Sequence, residues 1–568
     1  MSKTIISLVM FSSIIAPSAV KEANFYSSPK NSIGSGSQVL RLLNVEDYIY
    51  ERDPKEPDTK PDIVDQFKEY AKEKGYTKVE VSYETTDTPE SMFNLLKLSE
   101  NSYDLICPSD YMIQKLIVND MLSPMNIDEE HMPNYIGNAS SIKDRLDAIS
   151  AVNSKTGETC YLKDYAVGYM WGTLGLLFDP EYGGRDAETT IEDMQEWGTL
   201  WNPDYKGISS IKDSVRDTYA IGLLYTFEED YEDKNGEITE GFRTLIEKRD
   251  AGEYSDEVYN QKFSDLFNRC DNETLAEVKK TLSKLKGNVF GMEVDSGKQD
   301  IVTGKIGINF AWSGDAVYSM EQAEEEKELE LYYSIPNTGS NLWMDAWCMP
   351  KSARSEAQTE LAELFLDFLS IPEYTAQNME YTGYTPFTAG NEILDLTRSW
   401  YDFRYDEETE EFDDSVPTAE EIEENGLQKV DLSYFFGGTL TDEDGNPLDD
   451  EASAEACIFY SDCYLPYAET DEEGNIVDGN RAVGRNFFCQ FPDENTLTRC
   501  AVMRDFGSQN EAVLKMWEKF KSDALPIWAI VLFVVEVAAG LAIGLYFIVG
   551  KRVKRSLRKK RLEELNKK

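Results

Sequence analysis

Apolar and polar residues are arranged in blocks that predict alternating strands and helices in the first part of the chain. VLRLLNV (39–45) is an apolar run typical of a buried strand, and KVEVSYE (78–84) has the two-residue alternation of a second strand. Helical spacing over 61–75 separates them, and a helical ESMFNLLKL (90–98) precedes a strand at YDLICPS (103–109). This order favours a parallel sheet with helical crossovers, so we predict an α/β fold that binds ligands beyond the carboxyl ends of its strands.

The rest of the globular part continues with a second α/β region and an unusual insertion. The second region runs from about 168 to 343. Eleven of the nineteen residues over 406–424 are acidic, which predicts a solvated insertion. Hairpins are predicted at DEDGNP (442–447) and DEEGN (471–475), and a helix over 508–521 closes the globular part.

The C-terminus breaks this pattern. Residues 525–549 form an apolar stretch long enough to cross a hydrocarbon layer of about 30 Å. Eight of the eleven residues 551–561 are basic. By the positive-inside rule, we predict a transmembrane helix with the tail 550–568 in the cytoplasm and residues 1–524 outside. Glu536 lies inside this span, and either a partner helix or protonation would account for it.

Length and charge narrow the functional classes. A chain of 568 residues exceeds what one compact core usually supports, so two lobes or domains are expected. The net charge of −50, from 106 acidic and 56 basic residues, would repel phosphate backbones and argues against a nucleic-acid partner. With one histidine, His131, and no cysteine pair at zinc spacing, common catalytic and metal-binding groups are scarce. Binding is therefore favoured over catalysis, and no metal or other cofactor is predicted.

Six of the eight cysteines fall into two groups. Cys107 and Cys348 lie in apolar runs that resemble strands, which predicts buried free thiols. Four others lie close together in a segment predicted to be extracellular: Cys457, Cys463, Cys489 and Cys500. The sequence leaves open whether they form one or two disulfides, and which cysteines would pair.

Six short segments carry aromatic rings, carboxylates or both. They are NVEDYIY (44–50), YDLICPSDYM (103–112), KDSVRDTY (212–219), INFAWSGDAVYSM (308–320), LWMDAWCMP (342–350) and TGYTPF (382–387). This combination suits a slender organic cation, because carboxylates balance its charge while ring faces attract ammonium groups and pack on the methylenes between them. Taken singly, Trp312 and Trp343 also fit core aromatics, and Asp217 also fits a residue that only caps a helix.

In order and spacing, these segments resemble the spermidine/putrescine-binding proteins of bacterial ABC importers, over about 39–400 and again at 501–521. The family run W-x-x-L-W-x-P-x-Y-K-G matches Trp197–Gly207 in full. Shorter family patterns are similar to Asn44–Tyr48, Tyr103–Tyr111, Gly168–Thr173, Leu342–Asp345 and Gly383–Pro386.

The resemblance implies a type II periplasmic-binding-protein fold, in which crossing strands join two α/β lobes around a cleft that closes on its ligand. Lobe 1 is then expected over 39–167, with about 345–395 returning to it. Lobe 2 is expected over 168–344, with about 396–522, which includes the acidic insertion.

The resemblance also implies the residues that line the cleft. Asp345 resembles the main ammonium-binding carboxylate of the family, and Asp217 and Asp47 would hold other amines. Trp312 and Trp343 would sandwich the aliphatic chain of the ligand. The implied ligand-binding set is Asp47, Tyr48, Tyr111, Asp217, Trp312, Trp343, Asp345 and Tyr384.

Three departures from the family pattern bear on the ligand. Val45 stands where the family usually has tryptophan, Ser214 where some spermidine binders have a carboxylate, and Met503 where some members have glutamine. Fewer polar contacts leave the ligand open between spermidine and putrescine or a related diamine.

The function implied is that of a membrane-anchored, monomeric binding component of an ABC importer, which captures a polyamine and delivers it to permease subunits. A polyamine sensor or adhesin with the same fold but no permease is the alternative. An extracellular hydrolase with two catalytic carboxylates is supported only by the abundance of acidic residues.

The N-terminus leaves two interpretations open. Residues 4–19 form a short apolar segment, with Lys3 as its only positive charge, that is typical of a signal segment cleaved near Ala16–Ser18. Alternatively, they are the remnant of a membrane segment from a fused permease. In either case residues 1–38 are predicted to be a signal-like or membrane segment followed by a linker.

Overall fold

The computed structural model describes residues 38–522 except 54, 56–58, 77, 99–101, 234, 353, 407–408 and 443. The segment up to residue 37, the predicted span 525–549 and the tail 550–568 lie outside the described residues. Within the described part of the chain, no helix combines the length and the apolar character needed to cross a bilayer.

Residues 38–165 alternate between strands and helices, as the apolar pattern predicts. The strands are β1 (Gln38–Val45), β2 (Val79–Thr86), β3 (Leu105–Ile106), β4 (Leu122–Ser123), β5 (Ser150–Val152) and β6 (Thr159–Tyr161). The α-helices are α1 (Ile63–Glu73), α2 (Pro89–Leu98), α3 (Asp110–Val118), α4 (Pro133–Asn138) and α5 (Ile142–Asp147), and Leu162–Asp164 is a 3₁₀ turn. Strand β1 pairs in parallel with β2 and β3, which confirms the predicted parallel sheet. Helix α1 buries Ile63, Phe67 and Ala71, whose four-residue spacing places them on one face.

Residues 166–350 form the second α/β region. Its strands are β7 (Ala166–Phe178), β8 (Ser209–Lys212), β9 (Tyr231–Glu232), β10 (Ile238–Thr239), β11 (Gly291–Glu293), β12 (Ile308–Trp312), β13 (Tyr332–Ser334) and β14 (Ser340–Pro350). Its α-helices are α6 (Ala187–Asp193), α7 (Val215–Thr226), α8 (Phe242–Asp250), α9 (Asp256–Phe267), α10 (Asn272–Leu285), α11 (Gly297–Val302) and α12 (Ser313–Lys327), with 3₁₀ turns at Trp197–Trp201 and Pro203–Tyr205. Strand β8 pairs in parallel with β11 and β12, and its last residue, Lys212, is fully buried.

Residues 351–522 complete the fold. The strands are β15 (Thr385–Pro386), β16 (Tyr405–Asp406), β17 (Glu411–Phe412), β18 (Gln428–Asp431), β19 (Ile458–Ser461), β20 (Ala468–Thr470), β21 (Ile476–Gly479), β22 (Val483–Gly484) and β23 (Cys500–Ala501). The α-helices are α13 (Glu356–Leu369), α14 (Pro372–Thr382), α15 (Asn391–Tyr401), α16 (Ala419–Asn425), α17 (Ser433–Phe436), α18 (Asp450–Ala456), α19 (Asn486–Gln490), α20 (Glu494–Thr498) and α21 (Asn510–Ser522), and Gly507–Gln509 is a 3₁₀ turn. The acidic insertion is structured, since it contains hairpin β16–β17 and helix α16.

Two long strands connect the halves of one large sheet. The strand order is β11-β8-β12-β7-β14-β3-β1-β2, so β7 and β14 lie between a first half (β3, β1 and β2) and a second half (β12, β8 and β11). Strands β7 and β14 are antiparallel, with an irregularity between Asp345 and Ala346. All thirteen residues of β7 are buried, which fits a strand covered on both faces. This is the predicted α/β architecture; the predicted lobe boundaries fall close to or within these two strands and stay a prediction.

The cysteines form no disulfide. All eight lie among the described residues and are free, so the disulfides left open by the sequence are absent from the structure. Cys107 and Cys348 are buried, as their apolar surroundings predict, and burial raises the pKa of both thiols.

Candidate functional site

A carboxylate lies at the point where the two long strands cross. Asp345 occupies the irregularity of β14 and forms an isolated bridge with Ser109, which precedes α3. The Tyr48 hydroxyl donates a hydrogen bond of 2.8 Å to Oδ2 of Asp345. Its Oδ1 is buried and makes no hydrogen bond of good geometry with the described residues, although the Ser109 side chain is near enough to lower the pKa of Asp345. A buried oxygen without a donor is costly, so Asp345 is prepared to accept one from a ligand.

Three aromatic rings form a row of contacts that begins at this carboxylate. The ring centroids of Tyr48 and Tyr384 are 5.5 Å apart, those of Trp343 and Tyr384 are 5.2 Å apart, and both pairs are edge-to-face. Trp343 Nε1 donates to the carbonyl of Thr173, at 3.2 Å, and Tyr384 donates to Oδ1 of Asp315, at 2.8 Å. These hydrogen bonds fix the orientation of the rings.

Two glycines allow the rings to approach the backbone this closely. A Cβ atom on Gly172, in β7, would lie 2.5 Å from Cζ2 of Trp343. A Cβ atom on Gly314, in the first turn of α12, would lie 2.4 Å from the ring of Tyr384. Any larger residue at either position would therefore displace a ring of the site.

A second carboxylate, Asp217, lies in the first turn of α7. Its backbone N–H donates to the Ser214 hydroxyl at 3.4 Å, so Ser214 caps the helix and Asp217 follows the cap. Its side chain is nearly fully buried, and burial raises its pKa to about 6. The pKa of Asp345 is also raised to about 6, first by burial, with a further contribution from the negative charge of Asp217. The charge of Asp217 therefore acts on Asp345, while Lys212 and Arg216 offset part of the charge of Asp217.

Two cations of the chain lie beside these groups. The Lys212 ammonium lies 4.2 Å from the centroid of the Trp312 ring and 3.2 Å from Oδ2 of Asp315. The Arg216 guanidinium lies 3.8 Å from the centroid of the Tyr111 ring. Because Tyr111 lies in the first turn of α3 and Arg216 in the first turn of α7, that contact joins the two halves of the protein.

The structure brings the eight predicted residues together only in part. Tyr48, Trp343, Asp345 and Tyr384 form one contact group, with Asp217 close to it. Trp312 is connected to this group through Lys212 and Asp315, and Lys212 and Arg216 each cover one face of the Trp312 and Tyr111 rings. The side chain of Asp47 is exposed, and among the described residues it makes no hydrogen bond or ion pair with the other seven. Assignment of the eight residues to a ligand stays a prediction.

Sequence reasoning missed three residues that shape the site: Lys212, Arg216 and Asp315. All three lie inside segments that it singled out, 212–219 and 308–320. The presence of two basic residues, Lys212 and Arg216, in a segment interpreted as binding a cation could have drawn attention to them. Asp315 gave no such signal. In the part of the chain that the structure describes, no group of three or more histidine, cysteine or acidic side chains could hold a metal.

Comparison with known proteins places these observations in context. The model of a family described as bacterial extracellular solute-binding protein matches residues 63–392. The chain is 23% identical over 336 residues to a spermidine/putrescine-binding periplasmic protein of Escherichia coli K12, covering 59% of this chain and 76% of that protein. It is also 23% identical over 356 residues to a putrescine-binding periplasmic protein of Pseudomonas aeruginosa, covering 62% and 79%.

Among solved structures, the chain is similar to a spermidine/putrescine ABC transporter substrate-binding protein from Streptococcus pneumoniae. The sequence identity is 25% and the TM-score is 0.41. The match covers 62% of this chain and 84% of that one.

Proposed function

The chain belongs to the family of bacterial extracellular solute-binding proteins, and we propose that it captures a polyamine, putrescine or spermidine, and delivers it to the permease of an ABC importer. The observation that carries this proposal is Asp345, a buried carboxylate between the halves of the sheet that accepts a hydrogen bond from Tyr48, the first of three contacting aromatic rings. Its Oδ1 makes no hydrogen bond of good geometry with the described residues. Relatives whose names state polyamine binding support the same ligand class.

The proposed chemistry is charge compensation in a closed cleft. An ammonium group donates to Oδ1 of Asp345, a second ammonium faces Asp217, and the methylenes between them lie against Tyr384 and Trp343. Each carboxylate has a raised pKa because its charge is buried, and pairing with an ammonium relieves that cost. Binding would stabilise the closed arrangement of the two halves, which is the form that docks on a permease.

The ligand class is tested by thermal unfolding of the full-length chain with putrescine, cadaverine, spermidine, spermine, thiamine and glucose. A ligand at about 100 times its Kd stabilises the native state by about 2.7 kcal/mol, which corresponds to an increase in Tm of about 3 °C for a large chain. We expect this increase with one or more polyamines and none with glucose. If no cation raises Tm, the proposal is wrong and the sensor or adhesin alternative would need another ligand.

We also propose that the apolar stretch 525–549 anchors the protein, with the basic tail 550–568 in the cytoplasm. The last described helix, α21, ends at Ser522, so the globular part would lie close to the membrane. Tethering raises the local concentration of the binding protein at a permease without any new contact.

Truncation of the chain tests the anchor. We expect the chain that ends at residue 524 to be released from cells, whereas the full chain sediments with membranes. A chain that ends at residue 549 lacks only the basic tail and is the matched control, which should still sediment. Equal sedimentation of the three proteins after a high-salt wash would contradict the proposed anchor.

A further inference from the structure

The Lys212 ammonium has the surroundings that a bound amine would have. It lies over the Trp312 ring at 4.2 Å and forms salt bridges of 3.2 Å with Asp315 and Glu293. It also donates to the carbonyl of Val294 at 3.2 Å. The side chain is fully buried, so an aromatic face, two carboxylates and a carbonyl enclose the cation completely.

We propose that Lys212 is a built-in amine that occupies the position between Trp312, Asp315 and Glu293, where a third ligand ammonium would otherwise fit, so that the cleft selects a ligand with two ammonium groups over one with three. This inference rests on the proposed function, since it concerns which polyamine the same cleft accepts. Lys212 would determine specificity for the length of the polyamine, because its ammonium fills one position in the cleft and places a positive charge there.

A short series of contacts connects this subsite to the rest of the cleft. Asp315 accepts from Lys212 with Oδ2 and from the Tyr384 hydroxyl with Oδ1. The Tyr384 ring then contacts Tyr48, which donates to Asp345. Lys212 therefore lies at one end of a row of contacts and Asp345 at the other, with Asp315 and the rings of Tyr384 and Tyr48 between them.

The charges along this row favour two ligand ammonium groups. Lys212 neutralises the Asp315 and Glu293 end. Lys212 and Arg216 offset only part of the charge of Asp217, and neither Asp217 nor Asp345 forms a salt bridge with a described residue. A third ammonium would have to displace a cation that is covalently tethered to the site. It would then lie near that cation, and two like charges in a buried site repel each other strongly.

The wild-type chain gives the first measurement. Titration calorimetry of the full-length protein with putrescine and spermidine should show that spermidine binds no more tightly than putrescine. Spermidine binding tenfold or more tighter than putrescine would overturn the inference while leaving the proposed function intact. Absence of binding by any polyamine would instead overturn the proposed function.

The Lys212→Ala variant opens the subsite and provides the second measurement. We expect its affinity for spermidine to rise at least tenfold relative to its affinity for putrescine. Lys298→Ala is the matched control: Lys298 Nζ lies 3.9 Å from Oδ1 of Asp315, but its side chain is partly exposed. Lys298→Ala should leave the ratio of the two affinities within threefold of wild type, and an equal change in both variants would overturn the inference.

Rescue by a small amine tests the position of the Lys212 ammonium independently of polyamine binding. Removal of Lys212 leaves Asp315 and Glu293 buried without their cation, so Lys212→Ala should have a lower Tm than wild type. Ethylammonium chloride should restore part of that Tm in Lys212→Ala and in neither wild type nor Lys298→Ala, with sodium chloride as the salt control. No selective rescue would overturn the inference, and if Lys212→Ala does not fold, the wild-type comparison decides.

Discussion

Asp345→Asn is expected to weaken diamine binding about 100-fold while the protein stays folded. Loss of one partner of a buried, hydrogen-bonded charge pair typically costs 2–5 kcal/mol of binding free energy. The asparagine can still accept from the Tyr48 hydroxyl, which now donates to Oδ2 of Asp345 at 2.8 Å. The substitution therefore removes the charge and retains the local hydrogen bond. Titration calorimetry with putrescine gives the change in Kd.

The same substitution should stabilise the unliganded protein at pH 7. The pKa of Asp345 is raised to about 6, so its charged form opposes folding at neutral pH, and the neutral asparagine removes up to about 3 kcal/mol of that cost. Asp367→Asn is the control, because Asp367 is also buried but accepts from the backbone N–H and the amide of Asn134. Burial also raises the pKa of Asp367, so Asp367→Asn removes a comparable buried charge, and it should leave Kd unchanged. Unchanged putrescine affinity in Asp345→Asn would remove Asp345 from the site.

Putrescine affinity is expected to fall about 100-fold between pH 7.5 and pH 5. Burial raises the pKa of both Asp217 and Asp345 to about 6 in the unliganded protein, so about nine-tenths of each group is protonated at pH 5. A neutral carboxyl group does not balance an ammonium charge, and each protonation costs about tenfold in affinity. Calorimetry at several pH values measures the change, and binding near pH 6 should release protons to the buffer.

The stability of the unliganded protein should change in the opposite direction. The two folded-state pKa values lie above the ordinary aspartate value near 4, so the charged groups destabilise the fold fully above about pH 6. This cost is relieved as the pH falls towards 4. Glu228 has a raised pKa of about 7 and adds to the same trend, so the quantity to measure is the difference between wild type and Asp345→Asn. An affinity that does not change with pH would show that these carboxylates do not hold the ligand.

The alternation of strands and helices was predictable because it rests on local patterns. Helix α1 falls within the predicted 61–75, and the parallel pairing of β1 with β2 and β3 follows from strand–helix–strand order. The carboxylate and rings around Asp345 were also predictable, through resemblance to a family. The irregularity of β14 at Asp345 was not, because strand register depends on pairing with the distant strand β7.

The internal cations could not be predicted from sequence, because sheet pairing brings distant residues together. Parallel pairing of β8 with β12 places Lys212 beside Trp312 and Asp315, which lie about 100 residues further along the chain. For Asp47, in contrast, the family pattern suggested a cleft residue, but the structure shows a positive φ of 51° and an exposed side chain. The left-handed backbone conformation of this single residue sets the direction of its side chain.

A crystal structure of the protein with putrescine at pH 7.5 tests the central claim most directly. The account predicts one putrescine per chain, with one ammonium about 3 Å from Oδ1 of Asp345 and the other facing Asp217. Lys212 should remain over the Trp312 ring. Putrescine bound away from Asp345, or an ammonium that displaces Lys212 from Trp312, would contradict the account.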